Sequence, residues 1–210
     1  MAIHFQEPNA TFIHIPKTGG SSFEQWCYNN RSYDRQQKHC TINDAEKLWD
    51  DLGTTFCFIR NPYDRIVSMF HFIGQRSQER IEMRKQGKRT KKSTNQKDDL
   101  LISEYYNKGF ENWLVEHYTG IHNPFDLGIW MYQRKTPMVH WIDNKIDIII
   151  KIEELNDNIY KLEELFNCKI NLPVTNTTKR KDYKSYYNNQ TKRIIEELFQ
   201  DDLEKFNYEF

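Results

Sequence analysis

The sequence predicts an α/β fold of three layers, a parallel sheet between helices. Three observations carry that expectation. Three apolar, β-rich runs, "TFIHI" (11–15), "TTFCFIR" (54–60) and "KIDIIIKI" (145–152), read as buried core strands. Helical patterns fall between them, and strands alternating with helices favour parallel pairing. No internal repeat and no clean linker divides the 210 residues, so residues 1–210 are expected to form a single domain.

The helices follow from their ends. "SSFEQWCYNN" (21–30) reads as a helix after the first strand, and residues 31–40 as a polar loop. "TINDAEKLWDDLG" (41–53) has Thr41 with Asp44 three residues on, close to a capping box, and Gly53 as a stop. "NPYDRIVSMFHFIG" (61–74) starts with Asn61 as cap and Pro62 in the first position, with Gly74 as terminator. Residues 75–97 then hold nine Lys/Arg against two Glu, a net of +7, and are expected to be a flexible basic insertion. Helical patterns resume through 99–118, and "EELNDNIYKLEELFN" (153–167) is a further helix. A polar, basic loop at 174–185 precedes a last helix at about 188–205.

Composition narrows the class. The hydrophobic fraction is only 38%, but aromatics reach 14%, so large rings supply much of the buried area and the chain is not disordered. The formal net charge of zero excludes a polyanion binder that works by bulk charge, and no nucleic-acid partner is expected. Cys27, Cys40, Cys57 and Cys168 form no CxxC pair and no zinc spacing, which fits a reducing compartment. The N-terminus lacks the pattern of a signal peptide, and no apolar run approaches a membrane span. A cytoplasmic protein with no integral membrane segment is expected.

The stretch "IHIPKTGGSSFEQW" (13–26) carries the first chemical signal. A loop between a strand and a helix presents outward-pointing N–H groups and the positive end of the helix dipole. Gly19 and Gly20 let the backbone wrap close to an anion, Ser21 and Ser22 add hydroxyls, and Lys17 adds a full charge. The bland alternative is a tight turn with a surface lysine. It is not a Walker A loop, because that motif needs lysine after the glycines with a hydroxyl next to it for magnesium, and here Lys17 precedes the glycines. The second signal is "FIRNPYDRIVSMF" (58–70). Arg60 ends a strand, where a guanidinium can grip an anion over the sheet edge, and Ser68 lies in the following helix. Taken singly, Arg60 could be an ion-pair partner of Asp64, and Ser68 a helix-surface serine.

Together, "HIPKTGGSSF" and "FIRNPYDRIVSMF" resemble the paired signature of sulfotransferases that use 3′-phosphoadenosine 5′-phosphosulfate (PAPS). The similarity is to the carbohydrate branch that includes heparan sulfate 2-O-sulfotransferase and its small bacterial relatives. It continues in "KHCTINDAEKL" (38–48), "IIIKIEEL" (148–155) and "LPVTNTTKRKDYKSYY" (172–187). The resemblance implies a P-loop-like three-layer fold, PAPS as donor, adenosine 3′,5′-bisphosphate (PAP) as product and no metal. It implies a hydroxyl-bearing acceptor, a glycan or polysaccharide. By the same resemblance Lys17, Thr18, Gly19, Gly20, Ser21 and Ser22 hold the 5′-phosphosulfate, Arg60 and Ser68 the 3′-phosphate, and Thr178, Lys179 and Arg180 close over the nucleotide. Where related sequences have Arg before Glu, this chain has Lys151-Ile152-Glu153, which keeps a charge but not the bidentate fork.

Among seven histidines, His39 is the expected general base. It precedes the Thr41 cap by two residues, where a helix dipole favours the neutral imidazole, and the resemblance sets a histidine there. Lys17 would stabilise the departing phosphate. His14 and His71 are expected to be packed or satisfied residues. Two other readings stay open: a nucleotide kinase-like phosphoryl transferase, and a non-catalytic binder of nucleotide or anionic polymer that uses the basic segment. Trp113, Trp130 and Trp141 could stack on sugars, but aromatics in so polar a chain more often form core.

Overall fold

The computed structural model describes residues 2–35, 40–90, 95–119, 136–173 and 180–210. They form two compact units. The first comprises Met1–Asn61, Thr136–Thr177 and Asp201–Glu209, and the second Pro62–Lys135, Thr178–Gln200 and Phe210.

The first unit is a sheet covered on both faces. Its elements in chain order are β1 (Ala2–Phe5), β2 (Ala10–Ile13), α1 (Gly20–Asn30), the two-residue β3 (Asp34–Arg35), α2 (Ile42–Ala45), β4 (Thr54–Ile59) and β5 (Ile148–Lys151). Short helices follow at Val139–Ile142 (before β5), Tyr160–Phe166 and Gln200–Phe206. The strand order is β3-β1-β2-β4-β5. β2, β4 and β5 are parallel neighbours, with Ile13 opposite Cys57 and Ile59 opposite Lys151. The three strands read from sequence are thus the parallel core of the sheet. β1 and β3 add an antiparallel margin: β1 pairs with β2 as a hairpin and with β3 on its other edge. β1 was invisible because "AIHF" is too short to show a period, and its pairing partner does not announce itself.

Alternate strand residues feed two cores, as the two-residue period of a strand requires. Phe12, Phe56, Phe58 and Ile150 face α1 and the 160–166 helix, where Phe23, Trp26, Leu162 and Phe166 complete one cluster. Ile13, Cys57 and Ile59 face the other way, onto Ile42, Ala45, Trp141, Ile142 and Phe206. The first cluster is mainly rings, with Phe12 and Phe23 centroids 4.7 Å apart. This is the three-layer α/β arrangement expected, with helices on both sides of the mostly parallel sheet.

Several helix lengths differ from expectation, and the last helix, expected at about 188–205, is two: Asn189–Leu198 and Gln200–Phe206. The 41–53 segment is helical only over Ile42–Ala45. Thr41 and Asp44 do form the capping box, and beyond Ala45 the chain turns rather than continuing as helix, although Trp49 and Leu52 still pack against the core that holds Ile42 and Ala45. The 153–167 segment is broken into a 3₁₀ turn and two short helices, Leu155–Asn158 and Tyr160–Phe166.

The second unit is helical. α3 (Pro62–Lys85) has 24 residues and runs straight through Gly74. Gly74 is not a terminator but a notch: a Cβ there would lie 2.1 Å from the Tyr106 ring, which sits on α4 (Gln96–Asn107). The first half of the basic segment is therefore helix rather than a loose insertion. Its charge has a structural use, since Arg80 donates to the fully buried Asp99 of α4 from Nε at 2.8 Å and Nη2 at 2.6 Å, and Arg84 donates to the other oxygen. α5 (Phe110–Thr119) and the helix at Asn189–Leu198 complete the unit around Phe70, Phe110 and Trp113. Trp113 and Trp141 are core residues, 3% and 2% exposed. Trp130 lies outside the described residues.

Candidate active site

β2, β4 and β5 are parallel neighbours, so the segments that follow them leave the same end of the sheet. In open α/β sheets ligands bind outside the carboxyl ends of strands. The segments are Ile15–Ser22 after β2, Arg60–Asn61 after β4 and Ile152–Glu154 after β5.

The first is built by backbone conformation. Lys17 has φ +70° and Gly19 φ +91°, two left-handed residues within three positions. Thr18 between them is fully buried, and its hydroxyl donates to the Ile15 carbonyl at 2.9 Å. The Thr18 side chain thus braces the loop, which leaves its main chain to meet a ligand. α1 begins at Gly20, with no side-chain cap and no acidic residue in its first turn. The helix start keeps its positive end for an outside anion. Ser21 is exposed and Ser22 half-buried. Both glycines are also needed for space: a Cβ on Gly19 would lie 2.2 Å from Ile152 Cδ1, and one on Gly20 2.1 Å from His14 Cδ2. His14 is itself buried and stacked on Phe12, as a packed histidine should be.

The second segment is built by side chains. Arg60, half-buried, donates from Nη1 to the Lys17 carbonyl at 3.2 Å. The left-handed turn at Lys17 therefore offers its carbonyl to the arginine of the second motif. The Arg60 main chain is held on both sides: its N–H meets Met138 Sδ at 3.5 Å, and the Asn61 N–H donates to Glu153 Oε1 at 2.7 Å. Asn61 Nδ2 donates to the Glu209 carbonyl at 2.9 Å, and Tyr208 Oη donates to Glu153 Oε2 at 3.0 Å. Burial beside the Glu153 charge pushes the Tyr208 phenol well above its usual range, so it stays a donor. Met138 is fixed in turn by the buried Asp202, which accepts from its N–H at 2.8 Å. Lys151 lies with Nζ 4.7 Å from the Tyr208 ring centroid.

A profile of the sulfotransferase family matches residues 3–209. The chain belongs to the sulfotransferase family. That bears out the expectation of a sulfotransferase. A crystal structure of the mouse sulfotransferase SULT7A1, complexed with PAP, has a similar fold at a TM-score of 0.51 and 13% identity, over 91% of this chain and 82% of that one. No curated protein matches.

The other residues expected at the site lie in the second unit or outside the described residues. Ser68 is buried on α3, and Asp64, Ser68 and His71 recur at helical spacing along it. Arg180 pairs through Nη1 with Asp64 at 2.6 Å, both side chains largely buried. His71 is buried, with Nδ1 2.9 Å from the Tyr106 hydroxyl, and burial, then the Arg180 charge, lower its pKa. It is a neutral, packed ring, with Nδ1 bonded and Nε2 buried without a hydrogen-bond partner among the described residues. His39, Thr178 and Lys179 lie outside the described residues. α2 is a single turn and supplies little helix dipole, so His39 is set apart from the other histidines by the family resemblance alone.

Sequence reasoning missed the supports of Arg60. Glu153 was noted only for the lysine two residues before it, and Asn61 only as a helix cap. Met138, Asp202, Tyr208 and Glu209 gave no signal, because each acts across 50 to 150 residues of chain. Among the described residues no group of three His, Cys, Asp or Glu could hold a metal ion. All four cysteines are thiols, and burial pushes Cys40 up to about 11 and Cys27 and Cys57 higher still. Cys27, Cys40 and Cys57 are inert space-fillers rather than nucleophiles. Among the described residues no helix is long and apolar enough to cross a membrane.

Proposed function

We propose that this sulfotransferase moves the sulfuryl group of PAPS to a hydroxyl of a carbohydrate acceptor, in the manner of the heparan sulfate 2-O-sulfotransferase branch. The observation that carries the reading is the Arg60–Lys17 hydrogen bond, which draws the residues of both motifs to one end of the sheet. The donor set suits two phosphate groups. The start of α1, the turn at Lys17 and the hydroxyls of Ser21 and Ser22 fit a 5′-phosphosulfate, and Arg60 offers the planar fork that a 3′-phosphate monoester favours. By motif position, Ser68, Thr178, Lys179 and Arg180 add to nucleotide binding.

The acceptor hydroxyl attacks sulfur while His39 takes its proton. One sulfur–oxygen bond forms, the bond to the bridging oxygen breaks, and PAP leaves with the charge. Lys17 stabilises that charge as it develops. The chemistry needs no electron transfer. A phosphoryl-transferase reading is less well supported, because Lys17 stands before the glycines and not after them.

The test is an acceptor screen with PAPS labelled in the sulfuryl group, run beside His39→Ala. Label should pass to a glycan acceptor, and His39→Ala should lower kcat about 10²- to 10⁴-fold while PAP affinity stays near wild type. Label on no glycan but on a tyrosine peptide or small alcohol would reject the carbohydrate assignment. Full activity in His39→Ala would reject the base.

A further inference from the structure

We infer that Glu153 is a positioning residue for the nucleotide site, setting the selectivity for a 3′-phosphorylated nucleotide through the Arg60–Asn61 corner; this rests on Arg60 holding the 3′-phosphate, as proposed above.

The guanidinium of Arg60 can discriminate only if the main chain that carries it is fixed, because a loosely held fork gains little selectivity from its second hydrogen bond. The corner leaves β4 at Ile59, opposite Lys151 of β5. Two residues beyond each, Asn61 and Glu153 meet: Glu153 Oε1 accepts the Asn61 N–H at 2.7 Å. This is a charge-assisted bond to the residue directly after Arg60. The second oxygen is occupied by the Tyr208 hydroxyl at 3.0 Å, which fixes the plane of the carboxylate. The Glu209 carbonyl, next in the chain, takes the Asn61 side chain at 2.9 Å. So the corner is held by the carboxyl end of β5 and by the segment Tyr208–Glu209. Neither belongs to either phosphate motif.

Glu153 does not itself point a donor at the ligand. As an anion it would repel a phosphate, and it is tolerable beside the site because the Asn61 N–H and the Tyr208 hydroxyl already occupy its oxygens. Neighbouring Glu154 makes neither bond. Its carboxylate stands 3.9 Å from Lys151 Nζ and is half exposed. The two adjacent glutamates therefore separate into one that shapes the corner and one that serves as a control.

The experiment is calorimetric titration of the full chain with PAP and, separately, with 5′-AMP, which lacks the 3′-phosphate. The readout is the ratio of the two affinities. Glu153→Ala should reduce the preference for PAP about tenfold, and Glu153→Gln, which can still accept from Asn61, should restore most of it. Tyr208→Phe should lose about threefold. Glu154→Ala should keep the wild-type ratio. A folded Glu153→Ala with wild-type preference overturns the inference, as does an equal loss for both nucleotides, which marks a merely structural residue. If Glu153→Ala does not fold, Tyr208→Phe decides, and an unchanged ratio there overturns it. Wild-type protein that binds PAP no better than 5′-AMP would instead remove the PAPS reading itself, and this assignment with it.

Discussion

The loop at Ile15–Ser22 and the corner at Arg60–Asn61 follow neighbouring parallel strands, yet they are held in opposite ways. The loop gets its shape from its own residues: left-handed Lys17 and Gly19, a threonine bonded three residues back, and two glycines whose missing side chains leave room for Ile152 and His14. The corner gets its shape from elsewhere, from Met138, Glu153 and Glu209. A site specified locally is sensitive to what is added to it, and one specified remotely to what is taken away at a distance. Arg60 joins the two through the Lys17 carbonyl.

The largest expected effect falls on the loop. Lys17→Ala should lower kcat about 10²- to 10³-fold and weaken donor binding as well, because in the proposed role the ammonium meets the phosphosulfate in the ground state and more strongly as the bridge breaks. Steady-state kinetics with varied PAPS would show this as a fall in kcat together with a rise in KM. A rise in KM alone would leave Lys17 as a binding residue and shift the leaving-group role elsewhere.

A control outside both segments sharpens the contrast. Asp99 ties α3 to α4 through Arg80 and Arg84. Burial pushes its carboxyl up, but the hydrogen bonds from Arg80 and Arg84 outweigh that and hold the pKa below the ordinary value. The folded pKa is depressed, so the stabilisation is complete above the unfolded value of about 3.9 and is lost as pH falls through the lower folded value. Asp99→Asn should cost about 3 kcal/mol at neutral pH, the low end for a broken buried pair because the arginines are partly exposed. Thermal melts across pH should show the wild-type advantage shrinking below pH 4. An advantage that grew in acid would invert the assignment.

The smallest effect is a single methyl group. Gly20→Ala places a Cβ against the buried His14 ring and should destabilise by about 1–3 kcal/mol in urea titrations, despite the better helix propensity of alanine. A neutral or stabilising result would mean that the ring moves aside, and the loop would not be as tightly specified as its geometry implies.

The same contrast explains what could be read from the sequence. The parallel strands, the start of α1, the cap at Thr41 and the two family motifs depend on residues close together in the chain, and each was visible there. Gly74 was misread because a helix-internal glycine and a helix stop look alike until the facing Tyr106 is known. The basic stretch after it seemed an insertion because the carboxylate that accounts for two of its arginines, Asp99, lies 15 and 19 residues on. The supports of Arg60 were hidden for the same reason at longer range. Glu153 follows a strand as many solvent-facing glutamates do, and only the register of β4 with β5 sets it against Asn61.

In the proposed mode of binding, one end of this sheet holds a nucleotide with two phosphate groups, the second gripped by Arg60. Calorimetry of PAP and 5′-AMP binding to the wild-type chain and to Arg60→Ala decides it. Wild type should prefer PAP, and Arg60→Ala should lose about 1.5–3 kcal/mol of PAP binding while 5′-AMP binding changes less. Equal binding of the two nucleotides by wild type, or PAP affinity untouched by Arg60→Ala, would contradict it.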